Sequence, residues 1–113
     1  MKKTKMLKKN YEFKKVLSKG KYYSGNYIEA FIQENRKEYN LLGLAISVKT
    51  AKAVKRNKIK RLLRENYKIL ENNIESGKSI VFLWKKGVSI ENALFSNIKT
   101  DLNIIFDKAG IKI

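Results

Sequence analysis

A chain of 113 residues without cysteine or histidine is the size of one domain, and it lacks the commonest general base, the thiol nucleophile and the usual ligands of a zinc site. Its 26 Lys and Arg stand against 10 Asp and Glu, a formal net charge of +16, so a polyanion is the expected partner and catalysis by the protein's own side chains is disfavoured. No apolar run approaches the roughly 20 residues that span a bilayer, and Lys8, Lys9 and Glu12 interrupt the stretch after the basic start Met1-Lys2-Lys3-Thr4-Lys5, so no signal peptide forms and the cytoplasm is the expected location.

The chain reads as a single domain, residues 1–113, with a basic tail at about residues 1–8. There is no proline, no Gly/Ser linker and no internal repeat to mark a boundary. Asn10 is placed to cap a short helix whose Phe13, Val16 and Leu17 share one face, and Gly20 to end it. Tyr22 to Gln33 is rich in aromatic and β-branched residues and reads as strand, split in two by a turn at Ser24-Gly25-Asn26. Within it Tyr27, Glu29, Phe31 and Gln33 fall on one face and Ile28, Ala30 and Ile32 on the other.

After a charged connection, the apolar run Leu41 to Val48 predicts a buried strand. From Ala53 to Glu75 the period becomes helical, with Ile59, Leu62, Leu63, Tyr67 and Leu70 in one stripe and Gly77 as the stop. Ile80 to Trp84 predicts a second buried strand. A last helix is built on Ala93, Leu94, Ile98, Leu102, Ile105 and Phe106, begun by Ser89 or Asn92. This order of elements predicts an α+β domain, a mixed sheet covered by helices.

The densest functional signal lies in the long helix. Arg56, Lys60, Arg64 and Lys68 recur every fourth residue, and Asn57 with Arg61 extends the same polar side. Guanidinium and ammonium groups spaced in this way can meet successive phosphates of a folded RNA, with Asn57 free to bond a sugar or a base edge. A basic helix face is also what an ordinary solvated surface looks like. Against that reading, the acids Glu65, Glu71 and Glu75 stand outside the ridge positions and neutralise it poorly.

The run Ala53-Val54-Lys55-Arg56-Asn57-Lys58-Ile59-Lys60-Arg61-Leu62-Leu63-Arg64-Glu65 closely resembles the signature of the ribonuclease P protein family, an Arg-Asn-Arg core followed by Ile-Lys-Arg-Leu and a further Arg. The resemblance extends to Leu7–Val16 as the family's opening helix, to Gly43–Val48 as the strand before the signature, and to Ile80–Lys86 as the strand after it. Three positions depart from the family pattern: Lys58 stands where Arg is usual, Ala51-Lys52 where Gly-Asn is usual, and Leu17 where an aromatic is usual. The first keeps the charge and loses the planar fork.

The implications of the resemblance are specific. The fold would be an α-β-β-β-α-β-α sandwich with a mixed central sheet, shared with a domain of a small-subunit ribosomal protein. Its parallel strands would be joined by a left-handed crossover, whereas general rules make about 98% of such connections right-handed. The protein would be the subunit of a ribonucleoprotein endonuclease that removes the 5′ leader of precursor tRNA. The catalytic RNA, holding Mg²⁺, would do the chemistry, and the protein would have no catalytic residue or metal site of its own.

Arg56, Asn57, Lys58, Lys60, Arg61 and Arg64 would dock on that RNA. A cleft between the first helix and the sheet would hold the leader on Phe13, Leu17, Phe31, Lys49 and Lys52, with Lys85 and Lys86 at its margin. By pattern alone Phe13 and Phe31 read more readily as core residues, and it is the resemblance that assigns them to the cleft. Two other classes fit the charge: a different structural RNA-binding protein such as a ribosomal component, and a DNA-binding or membrane-surface module with a basic amphipathic helix.

Overall fold

The computed structural model describes residues 3–113. Five strands, β1 (Thr4–Met6), β2 (Lys21–Ser24), β3 (Ile28–Glu34), β4 (Asn40–Leu44) and β5 (Lys78–Trp84), form one sheet in the order β1-β4-β5-β3-β2. Three helices, α1 (Asn10–Lys19), α2 (Ala53–Leu70) and α3 (Phe95–Ala109), complete the domain. β2 and β3 are an antiparallel hairpin and β3 is antiparallel to β5, whereas β4 runs parallel to both β1 and β5. The mixed α+β sandwich expected from the sequence is therefore present, with one strand more than expected.

The additional strand is β1. Pattern alone leaves these residues in a basic tail, because Lys2, Lys3, Lys5 and Lys8 hide any apolar periodicity. Tertiary bonds define the strand instead. The Asn40 amide donates to the Lys3 carbonyl at 2.8 Å and the Leu7 amide to the Leu42 carbonyl at 2.8 Å, while the buried Thr4 hydroxyl meets the Tyr67 hydroxyl at 2.7 Å. Burial pushes the Tyr67 phenol above its ordinary pKa, so it stays a neutral hydrogen-bonding group there.

The period-2 reading of β3 is realised. Ile28, Ala30 and Ile32 enter the larger core with Leu42 and Leu44 of β4, Ile80 and Phe82 of β5 and the apolar stripes of α2 and α3. Other boundaries shift. β4 ends at Leu44 rather than Val48, because after the Ala45 amide bonds the Phe82 carbonyl at 2.9 Å the chain turns away, with Thr50 donating to Ser47 at 3.0 Å. α2 ends at Leu70 and continues as one 3-10 turn, Glu71–Asn73, before Gly77 at φ +84°. Lys9 caps α1 and Asn10 is its first residue. Ser89 caps a 3-10 turn, Ile90–Asn92, and α3 begins only at Phe95, which leaves Leu94 exposed at its cap.

The two faces of the sheet are unequal. α2 and α3 pack on one, and α1 alone packs on the other, with Leu7, Val16 and Val81 as its buried centre and Phe13, Leu17, Phe31, Leu41, Ala45 and Leu83 only partly covered. A helix of 10 residues is about 15 Å long and about 10 Å wide, too small to roof five strands spaced about 4.8 Å apart. An open apolar strip beside α1 is the geometric result.

Candidate nucleic-acid interface

α2 carries the cationic surface. Ile59, Leu62, Leu63, Asn66, Tyr67 and Leu70 are its buried side, and at about 100° per residue Asn57, Arg61, Arg64 and Lys68 form the stripe opposite. All four are exposed, and Arg61, Arg64 and Lys68 border one shallow depression together with Glu65. The other predicted ridge residues lie to the sides. Arg56 and Lys60 are half-buried on one flank, and Lys58 is exposed on the opposite one. The Arg56 guanidinium donates to the Ala51 carbonyl at 2.6 Å, so it also fixes the loop that enters the helix. Arg61 pairs with Glu65 at 3.1 Å, which makes it the one ridge cation with an acidic partner among the described residues.

The N-terminal turn of α2 has no acid and no side-chain cap, while Lys52, Lys55 and Arg56 crowd it. Cations there oppose the helix dipole, at a cost of about 0.3–1 kcal/mol each when exposed. The same placement adds the dipole's positive end to the side-chain charges, an arrangement suited to phosphate.

The partly covered face beside α1 holds the aromatic group. Phe13, Leu17 and Phe31 come together there, and Phe13 lies so close over β4 that a Cβ on Gly43 would stand 2.5 Å from its Cε1. Tyr22, a strand residue in the sequence pattern and not among the predicted site residues, packs on Phe31 with ring centroids 5.3 Å apart and remains 50% exposed. Its hydroxyl donates to Glu29, and that bond pushes its phenol above the ordinary pKa. It faces Phe31 across the β2–β3 hairpin, a register that the turn residues Ser24-Gly25-Asn26 do not give by themselves.

The remaining predicted cleft residues divide. Lys49, Lys85 and Lys86 border one groove of about 520 Å³ with Ser47 and Trp84, at the end of the sheet where β5 leaves it. Lys52 stands apart from that groove as the exposed cap residue of α2. The β2–β3 turn beside Lys85 is pinned from below. Asp101 of α3, fully buried, accepts the amides of Asn26 at 2.9 Å, Tyr27 at 2.6 Å and Ile28 at 2.8 Å, and Lys85 Nζ reaches the Gly25 carbonyl at 3.4 Å.

Among the described residues no three Asp or Glu side chains come together in a way that would hold a metal ion. Four of their acids have separate partners: Asp101 the turn amides, Glu29 the Tyr22 hydroxyl, Glu34 the Lys78 ammonium, and Glu71 the Lys3 amide at 3.1 Å. No helix of the described residues is long and apolar enough to cross a membrane.

Comparison with known proteins identifies the family and the fold. The family model described as Ribonuclease P matches residues 1–110. The ribonuclease P protein component of Fusobacterium nucleatum is 39% identical over 107 residues, covering 93% of this chain and 96% of that one. That of Clostridioides difficile is 33% identical over 111 residues, covering 97% and 96%. Among solved structures, the RNase P protein of Staphylococcus aureus superposes with a TM-score of 0.82 at 27% identity, covering 94% of this chain and 95% of that one. The protein from Thermotoga maritima gives 0.79 at 27% identity, covering 89% and 94%.

Proposed function

The chain belongs to the ribonuclease P protein family, the protein subunit of a ribonucleoprotein endonuclease, and from that premise we propose that it docks on the catalytic RNA through α2 and holds the 5′ leader of precursor tRNA on the open face beside α1. Asn57, Arg61 and Arg64 on the outer stripe, with Arg56, Lys58 and Lys60 on its flanks, meet phosphates of the catalytic RNA. Phe13, Leu17 and Phe31 receive unpaired leader bases, and Lys49, Lys85 and Lys86 accompany the backbone at the end of the sheet, with Lys52 a separate cation at the start of α2. The observation that carries the reading is the sheet face left partly bare by α1, with Tyr22 half exposed and Phe31 partly covered on it.

In this reading the protein contributes binding rather than chemistry. Mg²⁺, held mainly by the RNA, supplies activation of the attacking water. Asp101, the most buried of the acids, is committed to three amides. Because leader contacts exist only in the precursor, they favour substrate over the mature tRNA that is released. The assembly is placed in the cytoplasm.

Reconstitution with a ribonuclease P RNA at low Mg²⁺ tests the proposal. Cleavage of precursor tRNA is expected to rise when the protein is added, with tighter binding of precursor than of mature tRNA. Equal affinity for the two would remove the leader face from the mechanism, and no stimulation would remove the protein from the enzyme.

A further inference from the structure

α1 has two flanks, and the leader face occupies only the one bearing Leu17. On the other, a depression of about 340 Å³ is lined by Leu7, Val16 and Leu41 with Tyr11 at its edge, a ring left 66% exposed. The depression shares Lys15, Gln33, Glu34 and Arg36 with a trough of about 840 Å³ that continues past Lys19, Lys21 and Tyr23 to the end of α3.

The trough is positively charged. Lys15, Lys19, Lys21 and Arg36 are all exposed, and none is in an ion pair among the described residues. Of the three acids beside them, Glu34 is tied to Lys78 and Glu12 accepts the Lys9 amide at 3.1 Å, which leaves Glu75 at the far end.

Arg36 is held in place by its backbone. It adopts φ +59°, a left-handed conformation unfavourable for a residue with a Cβ. Asn35 enforces it: its Oδ1 accepts the Lys37 amide at 2.7 Å, its Nδ2 donates to the Tyr39 carbonyl at 3.3 Å and Ser79 Oγ at 3.2 Å, and its own amide donates to the Gly77 carbonyl at 2.9 Å. The turn is rigid, and it presents a guanidinium that bonds to nothing among the described residues.

We propose that this trough is a second binding site for an unpaired RNA strand, separate from the leader face. One base enters the depression against Leu7, Val16, Leu41 and the Tyr11 ring. The phosphates of the adjoining nucleotides run along Lys15, Arg36, Lys19 and Lys21. Apolar and aromatic contact for a base beside cations for the backbone is the combination by which single strands are held, and α1 keeps the two strands apart.

The test is a titration of the full ¹⁵N-labelled chain with pentauridylate, following backbone amides. Shifts are expected at Tyr11, Lys15, Arg36 and Gly110. The double variant Arg36→Gly with Lys15→Gln should bind at the trough about tenfold more weakly and lower the salt slope by about 1.4, at about 0.7 for each lost phosphate contact on a single strand. Glycine accepts the left-handed backbone, so the turn survives the change. Phe31→Ala should leave the trough shifts in place.

Silent trough amides, or an unchanged affinity in the double variant, would overturn the proposal. So would inorganic polyphosphate of matched charge giving the same shifts at the same affinity, since a base slot then plays no part. Trough shifts together with a silent Phe31 face would support this site while removing the leader reading.

Discussion

The Phe13 ring occupies the space in which a side chain on Gly43 would stand: a Cβ there would meet Cε1 at 2.5 Å and Cδ1 at 3.1 Å. Gly43 is therefore set by the approach of α1 to β4 and not by a turn. Gly43→Ala is expected to push α1 outward and lower stability by about 1–3 kcal/mol, the usual range for overpacking. Urea unfolding measures it. A variant as stable as the parent would show that α1 rides loosely on the sheet.

Asp101 offers a second stability test. Its Oδ2 accepts two amides and its Oδ1 a third, all from the β2–β3 turn. Asp101→Asn keeps the shape but sets an NH₂ group against an N–H donor in a buried site. A loss of about 1.5–3 kcal/mol is expected, with the earliest amide exchange in the 24–28 turn. If exchange there stays as slow as in β5, the turn is held by something else.

The elements legible in the sequence are those whose pattern is local. The stripe from Ile59 to Leu70, the alternation from Ile28 to Ile32 and the turn at Ser24-Gly25-Asn26 each announce their own structure. β1 does not, because Thr4 owes its burial to Tyr67, 63 residues away. The ridge reads as one row in the sequence, yet the wrap of α2 onto the sheet turns Arg56 and Lys60 inward and Lys58 to the far flank. The cleft residues Phe13, Leu17 and Phe31 are assigned through family resemblance. Tyr22, their neighbour, is visible only once the hairpin register is known.

On the ridge, Arg64→Ala should weaken docking to the catalytic RNA by about 1–3 kcal/mol with little change in melting temperature, since the side chain is exposed. Arg61→Ala should cost less, because Glu65 at 3.1 Å already holds part of its charge. Glu65→Gln should then tighten docking, and most at low salt. Filter binding across a salt series reads all three. Weaker docking by Glu65→Gln would mean that the ion pair positions Arg61 for its RNA contact rather than competing with it.

The leader face is best probed at Tyr22, since Phe13 has two roles to lose. Phe13→Ala empties the space over Gly43 as well as the cleft, so weaker leader binding and lower stability would arrive together. Tyr22 is half exposed and packs chiefly on Phe31, so its truncation costs the fold little. Tyr22→Ala is expected to weaken precursor tRNA binding to the reconstituted enzyme by about 1–3 kcal/mol if the ring stacks on a base. Mature tRNA should bind as before, because it has no leader to stack. Tyr22→Phe keeps the ring and frees Glu29 from the phenol, so an intermediate loss in that variant would come from the uncovered carboxylate repelling phosphate, and raised salt should erase it. Equal losses for precursor and mature tRNA in Tyr22→Ala would place the ring against the body of the tRNA or the catalytic RNA, and the leader would have to be held elsewhere.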